Sequence, residues 1–388
     1  MENSNSVCFV ARINEIKPIE GADNIEHAIV GGWNCVIQKG QYAEGGLVVV
    51  ATTDAIIPQE LSDAMNVTNY LRKGNRVRTV KLRGVYSECL IIPLLYIPKG
   101  NINTYTEGTD MMDVMNIFKY EPPVKQVQLS SGRTIKYQNN PNFGIYYKFP
   151  NLKNVVGLFT ENDVVEITRK IHGTNARYGI VRKTKLSILD NIKKIVHKLV
   201  YPWVPKVKNW AWIDYEYVYG SHNVEKGSDS QGFYSTDVWK TIANKYNIEQ
   251  NLWRLVKSEY TPKELGSGLV LYGEIYGAGI QKNYDYGLSD IEFCGFDLTE
   301  NGQYLDPLNA ELGIEVHLEL PYVNRLYYGP WSQEVQDKFT FNNFIKGTKV
   351  PHEGIVIKGY KGDRQKVAKV INPDYLIYGE KHDVGDSH

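Results

Sequence analysis

The 388-residue sequence has no long apolar run: nothing approaches the roughly 20 residues of a bilayer-spanning helix, which argues against a membrane protein. Cysteine is scarce. Cys8, Cys35, Cys89 and Cys294 lie far apart with no Cys-x-x-Cys spacing, which argues against a zinc site and points to a reducing cytoplasm. The first residues, Met-Glu-Asn-Ser-Asn-Ser, have neither the basic start nor the apolar stretch of a secretory signal, so the cytoplasm is the expected location. Charge of one sign is missing too, because 44 Lys and Arg balance 44 Asp and Glu. A polyanionic partner must therefore be held by local basic patches, not by whole-molecule charge. There is no internal repeat, no low-complexity tract and no signal for an obligatory protein partner. What remains, 42% hydrophobic and 23% charged residues, is an ordinary globular composition with length for two domains.

Residues 7 to about 100 read as short β-branched runs cut by Gly, Pro, Asn and Asp, including VCFVARI, GLVVVATT and CLIIPL, the pattern of an all-β barrel or sandwich. Short helices are expected over 58–69 and 110–118. From Tyr120 to about Asn142 the periodicity weakens in a Pro-, Gln-, Ser- and Asn-rich stretch that reads as a linker or exposed loop. Beyond it strands such as DVVEITRK, ARYGIVRK, GLVLYGEIYG and IEFCGFDL alternate with helical segments, notably SILDNIKKIVHKLV and STDVWKTIANKYN. The expected division is 1–120 for the barrel, 121–150 for a linker or lead-in segment and 151–388 for a mixed α+β domain.

The sharpest local feature is Lys170-Ile171-His172-Gly173-Thr174-Asn175, between two strand-like runs. A lysine amine attacks phosphorus well once it has lost its proton, and Gly173 lets the loop come close to a nucleotide. On these six residues alone a solvated hairpin lysine is much the commoner explanation. The rest of the chain changes that, because Leu271-Tyr272-Gly273-Glu274, Phe293-Cys294-Gly295-Phe296-Asp297, His352-Glu353-Gly354-Ile355-Val356-Ile357-Lys358 and Lys366-Val367-Ala368-Lys369 follow in order. The series resembles motifs I, III, IIIa, IV and V of the covalent nucleotidyl transferases, the ATP-dependent RNA and DNA ligases and mRNA capping enzymes. Lys-x-His-Gly-Thr-Asn resembles phage-type RNA ligase 2 more than DNA ligases.

The resemblance implies a division of roles. Lys170 is the nucleophile that forms a lysine-AMP bond, Glu274 binds the ribose, Phe296 stacks on adenine, and Glu353 holds Mg2+ or Mn2+ or its waters. His172, Asn175, Lys366 and Lys369 complete the ATP site, with Ser221 and Asn223 in the place of a further motif. This chain departs from the pattern in having histidine where many relatives carry a carboxylate, and in placing its closing lysines three residues apart, which leaves open which one meets the α-phosphate.

The N-terminal region resembles OB-fold domains of the tRNA-binding type, which grip single strands and ends with basic grooves and stacking surfaces. Within it Arg72, Lys73, Arg76, Arg78, Lys81 and Arg83 form a run without an acid, a candidate phosphate-contacting face. Arg182, Lys183 and Lys185 open a second basic stretch. An OB module placed before the transferase resembles the RNA ligase 5 clade. The expected function is ATP-dependent joining of 3'-OH and 5'-phosphate RNA ends in nicked or broken RNA, on an RNA or DNA template, with the transferase carrying the first step and the barrel gripping RNA. A GTP-dependent capping guanylyltransferase, a DNA ligase and a non-catalytic OB-fold RNA- or tRNA-binding factor are the alternatives.

Overall fold

The computed structural model describes residues 6–97, 104–120, 140–200, 211–222, 237–359 and 366–384. The N-terminal unit is a barrel sheet of β1 (Cys8–Pro18), β2 (Ile25–Val30), β3 (Trp33–Gln38), β4 (Leu47–Thr52) and β5 (Cys89–Ile92), in the order β3-β2-β1-β4-β5. A register shift between Ile13 and Glu15 lets β1 serve both halves: its first residues pair with β4 and its last with β2. Across the seam the Glu88 N–H donates to the Asn34 carbonyl at 2.8 Å, which nearly closes the barrel. Alternation along β4 sends Val48 and Val50 into one core with Ala28, Cys35 and Ile91, and Val49 and Ala51 into another with Met111, Met115 and Ile117. The second core is why the unit runs on to Tyr120, whose N–H bonds the Asp54 carbonyl at 2.8 Å.

The rest is α+β, two antiparallel sheets facing each other. One, in the order β12-β6-β13-β14, contains β6 (Val164–Lys170), β12 (Arg325–Pro330), β13 (Gly354–Gly359) and β14 (Val367–Ile371). The other, in the order β8-β7-β9-β10-β11, contains β7 (Thr174–Arg182), β8 (Tyr215–Gly220), β9 (Gly268–Gly277), β10 (Ile291–Glu300) and β11 (Gln303–Tyr304). Helices Val238–Lys245 and Ile248–Glu259 cover the outer face of the five-stranded sheet, burying Trp239, Ile242, Leu252 and Val256 against Tyr178, Ile180 and Leu271. Among the described residues no helix is long and apolar enough to cross a membrane.

The lead-in segment divides. Residues 121–139 lie outside the described residues, but Asn140–Pro150 is built into the second unit. Phe143 and Tyr146 are buried beside Val181, Val218, Val270 and Tyr272, and Asn140 Nδ2 donates to the Arg182 carbonyl at 2.9 Å. The sequence hid this because Pro, Asn and Gly separate the aromatics, which pack as single anchors without strand or helix periodicity.

Candidate active site

Strand parity builds the site. In the four-stranded sheet Val165, Ile167, Ile355, Ile357, Ala368 and Val370 face away from the five-stranded sheet, into a core with Phe159 and Trp331. Their sequence neighbours Glu166, Thr168, Lys170, Val356, Lys358 and Lys369 therefore face the cleft between the sheets. On the opposite wall Asn175 pairs in register with Glu274, and Tyr272 with Asp297.

Lys170 ends β6, and the chain crosses from one sheet to the other over Ile171-His172-Gly173. The crossing is tight: a Cβ on Gly173 would stand 2.2 Å from the Ile275 carbonyl oxygen and 2.9 Å from Glu274 Cγ. Only glycine fits. Register places Lys170 opposite Gly354, and Lys170 Nζ donates to Glu353 Oε1 at 2.6 Å, with the two side chains 24% and 10% exposed. A Cβ on Gly354 would likewise lie 2.1 Å from the Val370 carbonyl oxygen, so β13 and β14 close up directly behind Glu353.

His172 is buried among tyrosines. Its N–H donates to Tyr286 Oη at 2.8 Å, its ring meets Tyr284 and Tyr375 edge-on with centroids 4.8 and 5.2 Å apart, and Tyr375 Oη lies 3.2 and 3.3 Å from its two ring nitrogens. Its Nδ1 stands 3.8 Å from Glu353 Oε2. Burial pushes the Tyr284 and Tyr286 phenols upward, so both stay protonated donors.

Phe296 owes its position to a β-bulge. Tyr272 pairs with Asp297 and Gly273 with Gly295, so Phe296 is the extra residue of β10, half-buried with its ring 5.0 Å from that of Tyr146. Bulges re-aim side chains and free backbone groups. Here the Phe296 carbonyl accepts from Lys358 Nζ at 2.7 Å. Lys358, only 2% exposed, also lies 3.4 Å from Asp297 and 4.0 Å from Glu166, and Glu166 is met by Arg325 Nε at 3.0 Å. Buried charges persist when paired, and this network ties the two walls together.

Several sequence-predicted residues do not join this group. Lys366 has the opposite parity from Lys369 and ion-pairs with Asp163 at the far end of β6, which holds the Asp163 carboxyl below its usual range. With two residues between them the lysines take opposite faces, Lys369 toward the cleft and Lys366 away from it. Ser221 lies where β8 ends, its carbonyl accepting from buried Arg177 Nε at 2.8 Å; Asn223 lies outside the described residues. Asn175, by contrast, stays on the cleft wall opposite Lys170, its Oδ1 buried without a hydrogen-bond partner among the described residues.

The basic run of the barrel is largely committed elsewhere. Arg76 pairs with Asp54 and stacks on Tyr120 at 3.9 Å, Arg78 reaches Glu380 at 3.4 Å, and Lys81 donates to Tyr86 Oη at 3.0 Å. Arg72 is half-buried, and Lys73 and Arg83 are exposed. In the other stretch Lys183 meets Asp190 at 3.3 Å while Arg182 and Lys185 are exposed; the following helix, Ile188–Val200, also turns Ile188, Ile192, Ile195 and Leu199 to solvent. The sequence reading gave no role to Arg177, Lys358, Tyr284, Tyr286 or Tyr375; for Lys358 the signal was parity with Lys170 and Lys369.

Residues 163–371, more than half of the chain, match the family described as RNA ligase. The chain belongs to the RNA ligase family. Residues 7–94 of this ligase match the family described as an OB-fold domain. Its fold and domain order are those of Naegleria gruberi RNA ligase. A variant of that protein solved with ATP and manganese is 22% identical over 97% of this chain and 99% of that one, with a TM-score of 0.67. The pyrophosphate complex is 22% identical over 98% and 99%, with a TM-score of 0.66. No curated protein sequence matches the ligase. Of the readings open at the start, RNA ligase is the one the family match supports, with an RNA substrate.

Proposed function

We propose that this RNA ligase is ATP-dependent, works in the cytoplasm, and seals 3'-OH and 5'-phosphate ends of nicked or broken RNA held on an RNA or DNA strand, through an adenylate on Lys170. The observation that carries the reading is the convergence of Lys170, Glu353, Lys358 and Lys369 on one cleft face, opposite Asn175, Glu274 and Phe296. The similar Naegleria gruberi protein holds ATP or AMP with manganese, in keeping with this assignment.

In the first step the neutral Lys170 amine attacks the α-phosphorus of ATP; the N–P bond forms, the P–O bond to pyrophosphate breaks, and the nitrogen's proton passes to solvent. Attack needs a neutral amine free to reach phosphorus, so the contact between Lys170 and Glu353 must open first. Lys369 faces the same cleft and offsets charge building on the α-phosphate. His172 orients phosphate or water, Glu274 takes the ribose, Phe296 stacks on adenine, and Asn175 borders the nucleotide. AMP then passes to the RNA 5'-phosphate, and the 3'-OH displaces it.

Glu353 Oε2 is buried with no hydrogen-bond partner, and no group of three or more His, Cys, Asp or Glu able to hold a metal occurs among the described residues. One such carboxylate suits Mg2+ or Mn2+, which binds through one or two carboxylates plus substrate phosphates and supplies charge neutralisation there.

We assign 1–120 to the RNA-gripping barrel and 151–388, with 140–150 added, to the catalytic unit. The test is sealing of a nicked RNA duplex with ATP or GTP as the only triphosphate. ATP-dependent joining is the expected result; RNA capped with GTP and left unjoined would contradict it.

A further inference from the structure

Behind β14 the chain turns into the helix Pro373–His382, and its N-cap Asn372 and first-turn residues Asp374 and Tyr375 each make a separate commitment. Asn372, fully buried, caps the helix by accepting from the Asp374 N–H at 3.0 Å. It also locks the helix to the strand bearing Glu353: its own N–H donates to the Glu353 carbonyl at 2.9 Å and its Nδ2 to the His352 carbonyl at 3.1 Å. Asp374 reaches the barrel, accepting from Tyr86 Oη at 2.6 Å with Lys81 Nζ at 3.9 Å. Tyr375 reaches the active site, with its Oη 3.2 Å from His172 Nδ1. Further along, Glu380 meets Arg78 of the barrel.

Adjacent residues of one capped turn thus touch the barrel on one side and the histidine beside Lys170 and Glu353 on the other. A capped first turn moves as a unit, because the side chain of its N-cap holds one of the otherwise orphaned N–H groups. Tyr86 sits on the hairpin Val80–Leu82/Val85–Ser87, which also carries Lys81 and Arg83 of the basic run. Any shift of that hairpin acts on Asp374 and is felt one residue later at the ring that fixes His172.

We propose that Tyr375 is a positioning residue for adenylyl transfer, and that the helix Pro373–His382 couples docking of the barrel, through Tyr86 and Asp374, to the setting of His172. The barrel then does more than grip RNA: it helps set the lysine site for the first step. The inference rests on reading Lys170 as the nucleophile.

The test follows transfer of labelled AMP to Lys170 in full-length protein over a range of ATP concentrations, for Tyr375→Phe, Tyr86→Phe and the double variant. Phenylalanine keeps the ring packing of both sites, and unchanged thermal melting checks that the fold is kept. Losing one hydrogen bond of ordinary strength slows the maximal rate about two- to tenfold. That loss is expected for each single variant with the apparent KM for ATP unchanged, and the double variant should be no slower than the slower single one, because both act on one chain of contacts. Tyr375→Asn, which restores a polar group without the ring, should not recover the rate. A wild-type rate in Tyr375→Phe, a change confined to KM, or losses that multiply in the double variant would overturn the coupling. Absence of label on the wild-type protein would instead retire the lysine-adenylate reading, and this inference with it.

Discussion

Basic residues are used differently in the two halves of the molecule. On the four-stranded sheet Lys170, Lys358 and Lys369 share one face by strand parity and point at the opposite wall of a cleft. In the barrel the run from Arg72 to Arg83 scatters: Arg76 is tied to Asp54, Arg78 to Glu380 and Lys81 to Tyr86, leaving Lys73 and Arg83 turned to solvent. Spacing on a strand fixes a side chain's direction, whereas basic composition alone leaves its partner undetermined. Four tests sharpen that contrast.

The largest effect is expected from the two closing lysines. Lys369→Ala should lower ligation about 10²–10³-fold, the scale of removing one preorganised charge partner from a transition state, and Lys366→Ala should stay within about threefold. Equal losses in a nick-sealing assay would break the parity argument. Next comes Lys358→Ala, which leaves Asp297 buried without its cation while Glu166 keeps Arg325; breaking such a pair costs about 3–5 kcal/mol, so denaturant titration should show a large drop in stability before any catalytic effect is read.

On the barrel side, Lys73→Ala with Arg83→Ala should weaken RNA binding and lower the slope of log K against log salt by about 1.5, with lysine labelling kept. An unchanged slope would remove the hairpin from the RNA interface. The smallest effect is a pH dependence. Burial and Arg169 push the His352 imidazole down from 6.5 to about 4. Below 6.5 the unfolded chain takes up a proton that the folded protein refuses, so stability is full above 6.5 and is lost as pH falls toward 4. His352→Gln should flatten that slope between pH 6.5 and 5 in thermal melts.

Legibility followed the same division. The OB module, the mixed second unit, the helices at 188–200 and 238–245, and the order of the motifs were readable because periodicity and local residue chemistry specify them. Motif order left open which of Lys366 and Lys369 meets the α-phosphate, although an offset of three on a strand already separates their faces. The bulge at Phe296 left no mark, since it depends on a register shift against β9. The tyrosines around His172 come from 284, 286 and 375, brought together only by the fold; 28 tyrosines in the chain gave no way to single them out.

The central claim is that Lys170, paired with Glu353 at the end of β6, is the nucleophile. Incubation with α-labelled ATP and Mg2+ or Mn2+, followed by denaturation, tests it most directly. The account predicts label that stays on the protein, is absent in Lys170→Ala and is not formed from GTP. Label retained in Lys170→Ala, or formed from GTP in place of ATP, would contradict it.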